Sequence, residues 1–229
     1  MKRFGWIALL IALVFSGCAR QQNALVAYWI YDEAMELDPT IVTETRKVYT
    51  EYEAQLREQP TSATLGEPVI RNEFGAFYGQ PEAVWEPDGV WMKLTRTVYY
   101  EDPSGVIWTA PRGTYVNGSS IPQGFWSTVG SPYRGRHRYA SVFHDVACLL
   151  GPQPGRDWKT IHRMYYNACR CGGMPENEAK LLYTSVYHFG PPRFGGDFDA
   201  KQKLNLARNA EEYISEKDRS LEQLEQLPY

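Results

Sequence analysis

Residues 139–170 hold two stretches with apolar faces, separated by the breaker-rich pentapeptide Gly-Pro-Gln-Pro-Gly at 151–155. No other feature limits the fold as tightly. A loop this short joins antiparallel neighbours, so the spacing predicts a helical hairpin. At 3.6 residues per turn, Tyr139, Val142, Phe143, Val146 and Leu150 share one stripe. Trp158, Ile161, His162, Tyr165 and Cys169 share the facing one. His144 falls beside the first stripe, among the small residues Ala140, Ala147 and Cys148, where another element can come close. With the bend centred on Gln153, residues equidistant from it sit at one height, and His144 and His162 are such a pair. The pattern therefore predicts two imidazoles facing each other across the hairpin, with Asp145 beside them.

Three chemistries suit that group. Neutral imidazoles and a carboxylate can hold a divalent metal such as zinc, with His144, Asp145 and His162 as ligands. They can do general acid–base work, the carboxylate orienting a histidine. They can also be structural, the imidazoles serving buried backbone groups and Asp145 capping a nearby loop. A buried ionisable group costs several kcal/mol or so unless it is satisfied, so one of the three must hold.

Around the hairpin the pattern predicts an α+β fold, a small antiparallel sheet packed against three or four helices, with an N-terminal helical arm. Residues 24–38 and 40–58 read as the arm, broken at Pro39. QPTSATLGEP is a linker of breakers. Residues 90–100 and 106–110 are rich in aromatic and β-branched residues and flank the turn Asp102-Pro-Ser-Gly, a β-hairpin pattern. Residues 75–79 and 82–85 read as short strands. Residues 111–136 form a glycine- and proline-dotted loop, longer than structural connections usually are. Helices are expected over 137–150, 156–170, 176–189 and 200–226, the last lying on the surface or against the arm. The domain plan is a signal at 1–17, the arm at 18–60, the core at 69–198 and a C-terminal helix at 199–229.

The chain begins MKRFGWIALLIALVFSGC, a basic start, an apolar run and small residues before Cys18. This is a secretory signal in charge and length, too short for a good permanent span. Its ending resembles the bacterial lipobox. That resemblance implies cleavage before Cys18 and lipidation of Cys18 with acyl chains such as palmitate. With Ala19 next, it implies retention at the outer membrane. Several acyl chains anchor stably where one does not. The formal net charge of −3 argues against a nucleic-acid binder, which shows a basic face.

The loop and helix together resemble the domain-of-unknown-function 1353 family over roughly 106–190. The residues that carry the likeness are TYVNGSSIP, GFW and YASVFHD. Ser120, Pro122, His144 and Asp145 match the family's pattern. Val116 stands where the family has Thr, Asn117 where it has Asp, and His162 where it has the Asp of an Ala-Asp pair. The change to His keeps a metal ligand, and the change to Asn removes a charge, as in a binding-only branch. The family carries no established reaction.

Ser120 on its turn reads either as a nucleophile or as the cap of a short helix opened by Pro122. The candidate catalytic residues are His144, Asp145, Ser120 and Asn117. Cys148 and Cys169 are too far apart for a disulfide in this hairpin, whereas Cys148–Cys171 is open. Arg134, Arg136, His137 and Arg138 form a basic cluster that reads as a solvated helix entry or an anion site. The expected function is an outer-membrane lipoprotein, either an envelope hydrolase using metal or acid–base chemistry or a non-catalytic envelope or phage-related accessory protein. Its expected partners are the membrane through Cys18 and an envelope glycan or protein.

Overall fold

The computed structural model describes residues 38–118, 135–190, 209–215 and 218–227. Helix α1 (Pro39–Gln55) starts where the sequence pattern breaks, because proline is tolerated in a first turn, where its missing N–H costs nothing. Asp38 caps it by accepting the Thr40 N–H at 2.8 Å. This half of the expected arm is docked on the body. Ile41 and Val42 pack on Trp91, Tyr115 and Leu149, and Arg46 Nε donates to the Leu149 carbonyl at 3.3 Å. A short helix α2 (Ser62–Leu65) lies inside the linker.

Seven strands follow: β1 (Ile70–Asn72), β2 (Gly75–Tyr78), β3 (Ala83–Trp85), β4 (Met92–Leu94), β5 (Val98–Glu101), β6 (Ile107–Ala110) and β7 (Tyr115–Val116). They form two antiparallel sheets, β1-β2-β5-β6 and β3-β4-β7. The expected single strand over 90–100 is two strands in different sheets. The chain leaves one sheet after Leu94 and enters the other at Val98, so the alternation read across the whole stretch spans a crossing. The expected hairpin is β5–β6. Asp102 builds its turn by accepting the Ser104 and Val106 N–H groups at 2.9 and 3.1 Å. Strand β7 lies within the expected long loop.

In β5 and β6 alternate residues are buried, whereas β2 is buried continuously from Ala76 to Tyr78. Val98 lies opposite Ala110 and Tyr100 opposite Trp108. Phe77 stacks near Phe143, with ring centroids 5.8 Å apart, so this face meets the next helix, α3 (Arg138–Leu150). α3 is buried from Ala140 to Leu149. It ends at Gly151, whose φ of +75° suits glycine. Asp157 caps α4 (Trp158–Cys171) through the Thr160 N–H at 2.7 Å. Between them Gln153 and Arg156 exchange backbone hydrogen bonds of 3.1 and 2.8 Å. Arg156 then lies over Trp108 and donates to the Ile107 carbonyl, which ties the bend to β6.

Helix α5 (Glu176–Phe189) packs along α4. The C-terminal helix expected over 200–226 is not one helix. Residues 209–215 are helical, 218–220 are not, and α6 (Leu221–Leu224) restarts with Ser220 and Gln223 capping each other reciprocally. It docks on α4 and α5 through ions. Glu225 receives Lys159 at 2.5 Å, Arg163 at 3.3 Å and the Tyr183 hydroxyl at 2.7 Å. Lys180 pairs with Glu176 and Asp218. Two small antiparallel sheets with a helical layer make the fold α+β.

Candidate functional site

The hairpin brings His144 and His162 together, as their equal spacing from Gln153 requires. His144 Nε2 lies 3.1 Å from His162 Nδ1, and both rings are buried, 5% and 1% exposed. A neutral imidazole has one N–H and one lone pair, so two can satisfy each other only as complementary tautomers. Burial, with His162 beside it, holds His144 well below the usual imidazole range. The His144 ring also packs on Tyr165, with centroids 4.5 Å apart. Cys148 Sγ sits 3.7 Å from Nε2.

Asp145 does something different. Its neighbouring position turns it about 100° round the helix from His144, and its carboxylate faces the chain after β7. Oδ2 accepts the N–H of Asn117 at 3.1 Å and of Gly118 at 3.0 Å. Gly118 has φ +82°, a conformation glycine adopts freely, so the Asn-Gly pair supplies the bend that aims two successive N–H groups at one oxygen. Burial pushes the Asp145 carboxyl well above the usual carboxylate range, and the two N–H bonds pull the other way.

The structure does not draw the three expected metal ligands, His144, Asp145 and His162, to one point. Asp145 is committed to the loop backbone instead of the imidazoles, and among the described residues no group of three or more His, Cys, Asp or Glu side chains could hold a metal ion. Asn117 does meet Asp145, through its backbone. Ser120, Arg134 and Cys18 lie outside the described residues. Cys148, Cys169 and Cys171 are all buried thiols, and the Cys148–Cys171 link is not formed. Burial pushes the Cys171 thiol up to about 12. The basic cluster is split. His137 is fully buried, Arg136 donates to the Gly173 carbonyl, and Arg138 is exposed.

Sequence reasoning missed a cleft of about 420 Å³ between the second sheet and the first turns of α3, lined by Trp85, Met92, Gly118, Arg138 and Ser141 among others. Gly118, held by Asp145, is part of its wall. Ser141 lies one turn before Asp145 on the same helix face. The isolated signal was Trp85 on a short strand among polar residues, which periodicity alone does not distinguish from core.

Residues 92–186 match the model of the family described as protein of unknown function (DUF1353). The match runs from β4 into α5 and takes in Asn117, Ser120, His144, Asp145 and His162. Two relatives from Sinorhizobium fredii (strain NBRC 101917 / NGR234) are similar to the chain. Uncharacterized protein y4jT is 39% identical over 44% of this chain and 29% of its own length. Uncharacterized protein y4iH is 38% identical over 40% of this chain and 37% of its own. The chain thus spans about a third of the curated relatives it matches. No solved structure matches it.

Proposed function

We propose, from the premise that residues 92–186 are a domain of this uncharacterised family, that the protein is a non-catalytic accessory module of the bacterial cell envelope. In this reading acyl chains on Cys18 hold it to the outer membrane, and the His-Asp pair locks the domain. One observation supports the lock above all. The imidazoles hydrogen-bond to each other, and the neighbouring carboxylate hydrogen-bonds to the backbone of Asn117 and Gly118. Acid–base catalysis needs a base that can reach its substrate and an orienting group on that base. His144 is buried and held neutral, and Asp145 is turned away from it.

The full chain, purified in detergent, is expected to leave peptidoglycan fragments uncleaved. His144→Ala and His162→Ala should lose thermal stability together. Cleavage abolished in a His144→Ala protein that keeps its melting temperature would overturn the lock. Labelled palmitate should enter the wild-type chain and not Cys18→Ser. Equal labelling would overturn the anchor.

A second reading, an envelope hydrolase using acid–base chemistry, is favoured by one feature. Asp145, with its carboxyl pushed toward the protonated form, holds Gly118 in the cleft wall. It predicts cleavage that Asp145→Asn abolishes without unfolding the chain.

A further inference from the structure

The second sheet has two faces of different character. Register pairs Ala83 with Leu94, Trp85 with Met92, and Met92 with Val116. These residues line the cleft. The opposite face carries Val84, Lys93 and Tyr115, where the Tyr115 hydroxyl donates to Glu44 of α1 at 3.2 Å and accepts from Lys93 at 3.1 Å. One face is thus covered by α1 at Tyr115, while Val84 at its edge is 55% exposed. The other grades from Leu94 and Val116, each 2% exposed, to Trp85, 54% exposed.

An apolar face that ends in a half-exposed indole presents apolar surface to a ligand through the exposed part of that ring. The wall formed by the first turns of α3 is mixed, adding Arg138 and Ser141 to Tyr139 and Val142. Arg138 is exposed at the start of α3 and makes no ion pair with any described side chain. Gln80 stands at the rim. Ser141 is buried, and its hydroxyl donates to the Arg138 carbonyl at 3.0 Å, which leaves the oxygen able to accept. The volume of about 420 Å³ falls within the range of small-ligand sites.

We infer that this cleft binds an acidic saccharide, the C–H face of a pyranose lying on Trp85 and Met92 and its carboxylate or phosphate meeting Arg138. A sugar ring offers an apolar face and a hydroxyl edge together, which is the pairing the two walls present. A guanidinium matches either anion by two parallel N–H bonds. An acyl chain would leave Arg138, Gln80 and Ser141 unmatched. The inference rests on the reading of the domain as a binding module, and it gives that module a ligand class.

Calorimetric titration of the purified full chain tests it with four probes: N-acetylglucosaminyl-N-acetylmuramic acid, N-acetylglucosamine 1-phosphate, the neutral disaccharide di-N-acetylchitobiose, and a short acidic peptide. At least one acidic sugar is expected to bind about tenfold or more tighter than chitobiose, the size of effect a charge-assisted pair gives. Which one binds identifies the anion. Arg138→Gln should bring that sugar to the chitobiose level and leave chitobiose unchanged. Trp85→Ala should weaken both sugars by roughly tenfold, as loss of an aromatic platform does. Both side chains are exposed, so circular dichroism and melting should match the wild type. No binding of either acidic sugar at millimolar concentration, tighter binding of the peptide, or indifference to both substitutions would overturn the inference. Sugar cleavage during a titration that still obeys these expectations would overturn the non-catalytic reading alone.

Discussion

Two polar clusters hold this molecule together by different physics. The His144–His162 pair and Asp145 lie inside and work through hydrogen bonds of 3.0–3.1 Å, with His144 neutral. The C-terminal latch around Glu225 and Lys180 lies at the rim and works through ions, with Lys159 and Arg163 partly exposed. The two central ions there, Glu225 and Lys180, are buried, 8% and 5% exposed, but each is paired with an ion that reaches water, Lys159 at 50% and Asp218 at 91%. Inside, a charge without a partner costs far more than a neutral hydrogen bond returns. The comparison implies that the interior cluster should be the more sensitive to truncation and indifferent to salt, and that the latch should weaken as salt rises.

The largest effect should come from His162→Ala. It leaves a cavity and orphans one nitrogen of His144, for a loss of about 3–4 kcal/mol in denaturant unfolding. A loss under about 1 kcal/mol would mean the pair is not a lock. Asp145→Ala removes the acceptor for two backbone N–H groups and should cost about 2–3 kcal/mol, with faster hydrogen exchange at Asn117 and Gly118. Unchanged exchange there would show that the clamp is not what holds the loop.

Next in size is Glu225→Gln, which should cost about 1–2 kcal/mol at low salt and less at high salt. The same cost at both would make the latch a neutral contact. Smallest is Gly118→Ala, where the left-handed φ should cost about 1 kcal/mol. A stabilised variant would show that the loop relaxes away from Asp145.

Acidity separates the two clusters further. His144 has its folded value lowered, so the unfolded chain binds the extra proton. Its contribution is present above about pH 6.5 and is lost as pH falls below it. Glu225 also sits below its usual range. Burial pushes it up, and the Lys159 and Tyr183 donors outweigh that. Its contribution is lost only as pH falls through the carboxylate range near 4.3. Asp145 has the opposite sign. Its raised folded value makes the folded state favour protonation, so its ionisation opposes folding as pH rises. Melting temperature against pH should show a first decline below about 6.5 that flattens in His144→Ala. A decline unchanged by that substitution would assign it elsewhere.

The meeting of His144 with His162 was legible because both sit on regular helices joined by a short bend, and helical geometry carries a position forward over many residues. The α+β class was legible for the same kind of reason, from alternation in Val98–Glu101 and Ile107–Ala110. Of the roles the sequence leaves open for Asp145, capping a nearby loop is the one its contacts match, and a helical wheel gives its direction but not what the returning loop brings to it. The stretch at 90–100 was read as one strand because alternation continues across Leu94 and Val98, although the chain changes sheets between them.

Local periodicity and breaker placement, both short-range properties of the chain, therefore determined the helical hairpin and the level of its histidines. Contacts between residues far apart in sequence determined the rest. Asp145 reaches back 27 residues to Gly118, and Arg138 and Trp85 come to line one cleft. Such pairings depend on how the sheets and helices pack as solids, and no short-range pattern encodes that packing.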